Sequence, residues 1–330
     1  MQARVSPAGL PRREVTPGGA CDQRGCVEVG AMRIMILFNP IAGVGKAALV
    51  AGQIGSRLGE FGHEIDLVES RPDPCGDWLD RRLQDTAVMA VVGGDGAVQG
   101  ASGPAIRTST PIYHVPYGTE NLFAREFGMD PRPETLLRAV QRYDVRQVDV
   151  GVANDQPFLL MASIGFDAAV VHDLAGRRGS SISHLSYAGP ILRQLGSWRP
   201  PRLTVTVDGR PLAPNGAEMQ KGCVIVANSR QYAWRLNPAR RAVMSDGLFD
   251  VLFFPVRSTA DLLGWILKFR LGRPLADPRL RYQLGREVEI VCDQPQLVQL
   301  DGDPPPGGVG KRTSQLHVSV RPRALGVLMP

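Results

Sequence analysis

Long apolar runs are missing from this 330-residue chain. The longest, such as Val251-Leu252-Phe253-Phe254 and Val88 to Val92, are strand-sized and end at Pro or Gly, which excludes a transmembrane helix. Cysteine is scarce: Cys21, Cys26, Cys75, Cys223 and Cys292 are odd in number and scattered, with only the first two close together. Such spacing builds neither a disulfide framework nor a zinc site. No leader with a continuous apolar core opens the chain, so a reduced, cytoplasmic setting is expected, with peripheral contact at the inner membrane face as its variant. His172 and His184 flank Arg177 and Arg178, but no second ligand has metal spacing, and the stretch reads as a solvated helix and loop. Strong charge imbalance is absent as well. A formal net charge of +6 suits an anionic substrate or membrane face as well as a nucleic acid, and does not choose among them.

The length leaves room for two domains. Residues 1–31 are rich in Pro, Gly and Arg without an apolar period, and are expected to be a disordered, dispensable extension, with Met32 a candidate natural start. From Arg33 the pattern alternates: strand Ile34 to Phe38, turn Asn39 to Gly45, helix Lys46 to Phe61, strand Glu64 to Val68, helix Asp77 to Gln84 and strand Ala87 to Val92. A helix over Val98 to Ala105 and a strand over Ile112 to Val115 complete an α/β module spanning residues 32–147. Beyond it the texture turns β-rich, with strands expected at Gln147 to Val152, Phe158 to Ile164, Arg202 to Val207, Gly222 to Asn228, Phe249 to Phe254, Glu287 to Val291 and Leu297 to Leu300. Helices at Ala168 to Leu174, Ser183 to Gly196 and Thr259 to Leu271 interrupt this second domain, residues 148–313. The segment 314–330, with a strand at Gln315 to Val320, is expected to return to the first domain. The stretch Asp261 to Leu271 is read as a helix packed on the β domain, with contact to a membrane surface as the alternative.

What the chain does have is a run of apolar residues ending in glycines around one carboxylate, Val91-Val92-Gly93-Gly94-Asp95-Gly96-Ala97. Glycines let phosphates approach main-chain N–H groups, and Asp95 can hold a magnesium ion or its water. Alone, such a turn is equally an ordinary bend. Two further turns keep it company: Phe38-Asn39-Pro40-Ile41-Ala42-Gly43 upstream, and Val115-Pro116-Tyr117-Gly118-Thr119-Glu120-Asn121-Leu122-Phe123-Ala124-Arg125 downstream. All three follow predicted strands, the edge at which open α/β sheets bind ligands. Gly43-Val44-Gly45-Lys46 lacks the leading spaced glycine and following hydroxyl of a P-loop, and reads as a helix-start turn. His114, beside the nucleotide turn, reads as structural.

With Ser163-Ile164-Gly165-Phe166-Asp167, Asp246-Gly247-Leu248-Phe249-Asp250 and Asp301-Gly302-Asp303, these motifs resemble, in order and approximate spacing, the diacylglycerol kinase catalytic-domain family, including bacterial soluble lipid kinases and sphingosine kinases. The resemblance covers about Arg33 to Val320. It implies a Rossmann-like nucleotide-binding α/β domain, a C-terminal β-sandwich, and a cleft between them where ATP phosphorylates a lipid hydroxyl with Mg2+. By resemblance, Gly93, Gly94, Asp95, Gly96, Ala97, Val98 and Gln99 would wrap the phosphates. Gly118, Thr119 and Asn121 would bind nucleotide, with Asn39 and Ser70 nearby. Asp303 would be the general base beside Asp95, and Val243, Asp246 and Leu248 would hold a structural magnesium. The implied partner is a lipid at the membrane surface, not a nucleic acid; a homodimer is left open.

Three positions depart from the family pattern. Ala97 stands where a threonine is usual, Leu122 where bacterial diacylglycerol kinases carry an acid, and Asp303 where the base is a glutamate. Losing one methylene moves the base by about 1.5 Å, enough to cost orders of magnitude in rate if nothing adjusts. A catalytically weakened nucleotide- or lipid-binding homologue is therefore the first alternative. An NAD kinase, whose relatives share the Gly-Gly-Asp-Gly turn, is the second.

Overall fold

The structure, a computed structural model, describes residues 30–40, 42–43, 45–71, 77–177, 187–212 and 218–330. Nearly all of the 1–31 extension, His184, Arg178 and three of the cysteines, Cys21, Cys26 and Cys75, lie outside the described residues.

Strands β1 (Arg33–Phe38), β2 (Glu64–Glu69), β3 (Val88–Gly93) and β4 (Ile112–Pro116) pair in parallel in the order β2-β1-β3-β4. Every residue of β3 is buried, as a central parallel strand covered on both faces must be. Helices α1 (Ala47–Glu60), α2 (Asp77–Leu83) and α3 (Asp95–Thr108) connect these strands. Helix α1 packs through Val50, Ala51, Ile54 and Leu58, one apolar stripe at helical spacing. Helix α3 begins at Asp95, three residues before the predicted Val98, and runs on to Thr108 with Pro104 inside it.

Two helices follow that the sequence did not predict. Helix α4 (Leu122–Phe127) forms inside the third turn motif, and α5 (Pro133–Arg142) starts on a proline, whose fixed φ suits a first helical turn. Then come β5 (Val145–Ala153), β6 (Gln156–Phe158), β7 (Met161–Ile164), α6 (Phe166–Ala175), α7 (Ala188–Ser197), β8 (Arg202–Val207), β9 (Arg210–Pro211), β10 (Gln220–Ala227), β11 (Phe249–Pro255), α8 (Thr259–Arg270), β12 (Arg281–Gly285), β13 (Glu287–Leu297), β14 (Gln299–Leu300) and β15 (Arg312–Leu328). The predicted strand Phe158 to Ile164 is broken at Leu159 and Leu160, because their amides turn to a buried carboxylate described below. β12 was not predicted.

These strands form a β-sandwich-like domain. Its interior is packed by Phe158, Phe249, Val205, Val288 and Val318, with the Phe158 and Phe249 rings stacked at 5.8 Å. A separate apolar cluster lies where α8 and α6 cover β10 and β11, around Trp265, Phe254 and Phe269. The last strand ties the molecule together. The seventeen residues of β15 pair antiparallel with β13 and β5 and reach β4 in parallel at Val327 and Ile112, so Leu325, Val327 and Leu328 sit in the core of the α/β layer. A register shift between Arg321 and Leu325, where Arg323 takes φ 51°, bends the strand from one region to the other.

Candidate active site

The C-terminal ends of the four parallel strands bring the predicted turns together. Asn39 follows β1 and donates its amide to Val92 O at 3.1 Å; Ser70 follows β2 and donates to Phe38 O at 2.8 Å. The turns after β3 and β4 touch through bare backbone. A Cβ on Gly118 would stand 2.5 Å from the Gly94 Cα, so the approach needs glycine at both positions. Asn121, at φ 50°, closes its own turn: Oδ1 accepts the Gly118 amide at 2.7 Å and Nδ2 donates to the Gly118 carbonyl at 2.9 Å. Thr119, half-buried, lies within that turn. Beneath them His114 is fully buried, its Nε2 2.9 Å from Gly93 O, and burial lowers its pKa so that the neutral ring donates there. The structural reading of His114 fits this geometry.

Asp95 has a task that the sequence did not reveal. Its two oxygens accept the amides of Leu122 and Phe123, each at 2.9 Å, capping α4 and tying the β3 turn to the β4 turn. A metal ion or phosphate meeting Asp95 would therefore find its carboxylate already engaged by two donors. Val98 and Gln99, expected beside the phosphates, are engaged within the protein. The Val98 side chain is fully buried and its amide turns back to Gly94 O, while Gln99 Nε2 reaches Pro157 O. The Ala97 amide also returns to Gly94 O, which leaves those of Asp95 and Gly96 as the ones a phosphate could meet. The Ala97 methyl packs so closely on Gly93 that a Cβ there would fall 2.8 Å from it.

Asp301 and Gly302 take φ 53° and 88° in a tight hairpin whose ends, Leu300 and Asp303, exchange both backbone hydrogen bonds at 2.9 Å. Two successive left-handed residues explain the Asp-Gly pair. Asp303, half-buried, points across to α3: its Oδ2 lies 3.1 Å from where a Cβ on Gly96 would be. Asp301 points the other way. Buried, it accepts three amides, from Leu159 and Leu160 at 2.7 Å and from Met161 at 3.0 Å, and so anchors the hairpin to the sandwich. Burial pushes its pKa up to about 7, the three amides pull it down, and the charge of Asp95 adds a smaller upward push. Asp95 and Gly96 on one side and the Asp301 to Asp303 hairpin on the other thus meet from two stretches of chain about 200 positions apart.

On the far side of that hairpin opens an apolar cavity, walled by Phe166, Ile191, Phe254, Trp265 and Ile266, with Asp301 and Gly302 in its wall. One polar network enters it. Ser163 Oγ and Tyr232 Oη both donate to Asp167 Oδ2, Tyr232 at 2.7 Å, while Gln299 donates to Ser163 Oγ at 2.8 Å and accepts the Gly302 amide at 2.7 Å. Burial first, then the neighbouring Asp167 carboxylate, holds the Tyr232 hydroxyl well above its ordinary pKa. The sequence motif contained Ser163 and Asp167 but carried no role for them. The cavity left no sequence signal, since its walls come from elements far apart in the chain, among them α6, α7, β11 and α8.

The predicted metal residues lie apart from this centre. Val243 is exposed, Asp246 half-buried with Oδ1 accepting the Leu248 amide at 3.1 Å, and Leu248 half-buried. The loop is held from within by Asp149, which is fully buried and accepts the Gly247 and Arg323 amides at 2.7 and 2.8 Å. A carboxylate with main-chain carbonyls is the oxygen-only donor set that a hard cation takes, so these residues fit magnesium by chemistry. No cluster of three His, Cys, Asp or Glu side chains suited to a metal occurs among the described residues, and no helix there is long and apolar enough to cross a membrane.

Comparison with known proteins gives two family matches: the diacylglycerol kinase catalytic domain over residues 33–153, and the YegS C-terminal NAD kinase beta sandwich-like domain over residues 161–329. A diacylglycerol kinase of Mycobacterium tuberculosis is 28% identical over 322 residues, covering 92% of this chain and 96% of its own length. One from Bacillus subtilis is 24% identical over 277 residues, covering 82% and 89%. A crystal structure of a diacylglycerol kinase from Bacillus anthracis shares the fold, with a TM-score of 0.65 at 16% identity over 92% of this chain and 98% of that one.

Proposed function

Since the chain belongs to the diacylglycerol kinase catalytic-domain family and carries its YegS-type C-terminal domain, we propose that it transfers the γ-phosphate of ATP, with Mg2+, to a hydroxyl of a diacylglycerol-like or sphingoid lipid drawn from a membrane surface. The observation that carries this reading is a shared wall. Asp301 and Gly302 line the apolar cavity, while Asp303, next in the hairpin, lies over Gly96 at the phosphate turn. A lipid with its tail in the cavity would bring its polar end to the carboxylate that faces the nucleotide.

Phosphoryl transfer asks little covalent chemistry of the protein; it asks for alignment and charge stabilisation. The lipid hydroxyl attacks the γ-phosphorus, its proton passes to Asp303, and the bond to the β-phosphate oxygen breaks to release ADP. The bare contact of Gly94 with Gly118 lets the phosphates lie against backbone, with Asn39, Ser70 and Thr119 at the rim of the same edge. Magnesium, when bound with the nucleotide, neutralises phosphate charge. Asp95 is the carboxylate nearest to serve it, and Asp246 with the carbonyls of Val243 and Leu248 would hold a structural ion. A second reading, binding without efficient turnover, draws on Ala97: a methyl, not a hydroxyl, faces Gly93. The apolar cavity speaks against NAD as acceptor.

Incubation of purified protein with labelled ATP, Mg2+ and a panel of dispersed lipids tests both readings. Labelled lipid formed by wild type and not by Asp303→Asn is the expected result. Folded wild type that labels no lipid would sink the kinase reading, and nucleotide binding without turnover would favour the second.

A further inference from the structure

Helix α8 carries two apolar stripes, and the sandwich accounts for only one. Leu262, Trp265 and Phe269 are buried against β10 and β11. Leu263, Leu267 and Leu271, at i, i+4 and i+8, form a second line that is 51%, 57% and 62% exposed. At about 3.6 residues per turn, Ile266, Arg270 and Leu263 follow one another around the helix. Ile266 lines the cavity and Arg270 donates to Trp234 O at 3.5 Å, so the exposed leucine line starts, at Leu263, beside the cavity side of α8 and runs outward from it. Lys268 is on the opposite side, over the Trp265 ring and paired with Asp277. Trp234, 40% exposed, and Leu192, 71% exposed and next to the cavity residue Ile191 on α7, extend the apolar rim.

The same rim is basic. Arg235, Arg240, Arg241, Arg270 and Arg273 are exposed and form no ion pair among the described residues, while the nearby acids Asp261 and Asp277 are matched by Arg279 and Lys268. A second copy of the chain docked here about a two-fold axis would set arginines against arginines. An apolar line flanked by unpaired guanidinium groups instead complements an anionic bilayer, whose interface accepts leucine and tryptophan and whose headgroups attract arginine.

The geometry points to the outer face of α8, with Leu192 and Trp234, as the surface that docks on an anionic lipid bilayer and sets the cavity mouth at the headgroups. This rests on the lipid-kinase reading for what is drawn out of the bilayer, though docking itself needs no turnover. The test is co-sedimentation without ATP, using vesicles of phosphatidylcholine alone and of phosphatidylcholine mixed with phosphatidylglycerol. Wild type should bind the mixed vesicles and release them as salt is raised. The triple variant Leu263→Ser, Leu267→Ser, Leu271→Ser should bind at least about tenfold more weakly, as should Arg240→Glu with Arg273→Glu. None of the three leucines lines the cavity, so the triple variant should phosphorylate a water-soluble short-chain lipid as wild type does.

Wild type that ignores anionic vesicles, or a triple variant that binds them unchanged, overturns the proposal. So does a wild-type dimer that the triple variant converts to monomer, because the face would then be a subunit interface. Vesicle binding with no lipid phosphorylated would leave docking standing and remove the kinase reading. Turnover of the soluble lipid with no vesicle binding would do the reverse.

Discussion

Replacing Asp95 separates the two tasks its position implies. In the structure both carboxylate oxygens accept amides at the start of α4, from Leu122 and Phe123 at 2.9 Å. Alanine removes a cap of the kind that contributes about 1–2 kcal/mol, and the negative charge at a helix N-terminus adds about 0.3–1 kcal/mol, so Asp95→Ala should cost roughly 2–3 kcal/mol. At roughly 3 °C per kcal/mol for a domain somewhat above one hundred residues, the melting temperature should fall by about 5–10 °C. Asparagine keeps one acceptor and should cost about half as much. The sharper measurement is amide hydrogen exchange. If the cap governs local opening, the Leu122 and Phe123 amides should exchange about thirtyfold faster in Asp95→Ala, while those within β1 are little changed. Both variants should also lose lipid phosphorylation. Unchanged protection of Leu122 and Phe123 would refute the capping role, and full activity in either variant would take Asp95 out of the chemistry.

Asp303→Asn should lower kcat by about 10²–10⁴ with a far smaller effect on the melting temperature, since the three amides on Asp301 and the main-chain bonds between Leu300 and Asp303 are kept; equal losses of stability and activity would contradict this. Gly118→Ala must push a methyl against the Gly94 Cα, so nucleotide affinity in a binding titration should collapse. Gly59→Ala, near the end of α1 with open space around it, should leave affinity alone and stabilise by about 0.5–1 kcal/mol. For Asp301, a folded-state pKa of about 7 against an ordinary 3.8 means that the native state holds the proton more tightly. Its contribution to stability is full below pH 4 and is lost as pH rises toward 7. The stability advantage of wild type over Asp301→Asn, from urea unfolding, should therefore shrink from pH 5 to pH 8; an advantage that grows would show that the three amides outweigh burial.

The α/β half was legible because its signals are local. Val88 to Val92 is continuously apolar and stops at glycine, as a doubly covered strand does, and the Val50, Ile54, Leu58 spacing marks α1. Helices α4 and α5 escaped. The first is short and starts within the turn motif, its N-terminus stabilised by Asp95 from 27 residues away; the second follows a Pro-rich stretch that reads as loop. For Val98 and Gln99 the motif does not say where its helix begins, and one turn of helix changes which side chains face a given edge.

By itself the sequence determined that strands of an α/β layer end in three special turns, that a β-rich region follows, and that the glycines and carboxylates keep one family's order. Backbone chemistry dictates these, because Gly94, Gly118 and the Asp301-Gly302 pair occupy conformations or contacts that few other residues tolerate. Only the tertiary structure decided that Asp301 faces inward as an anchor while Asp303 faces Gly96. Only it assembled the cavity from α6, α7, β11 and α8, and showed that the leucines of α8 divide between two faces. Those outcomes depend on the hairpin's direction across the sandwich and on contacts between residues more than 100 positions apart, such as Asp301 with Leu159, which no local pattern encodes.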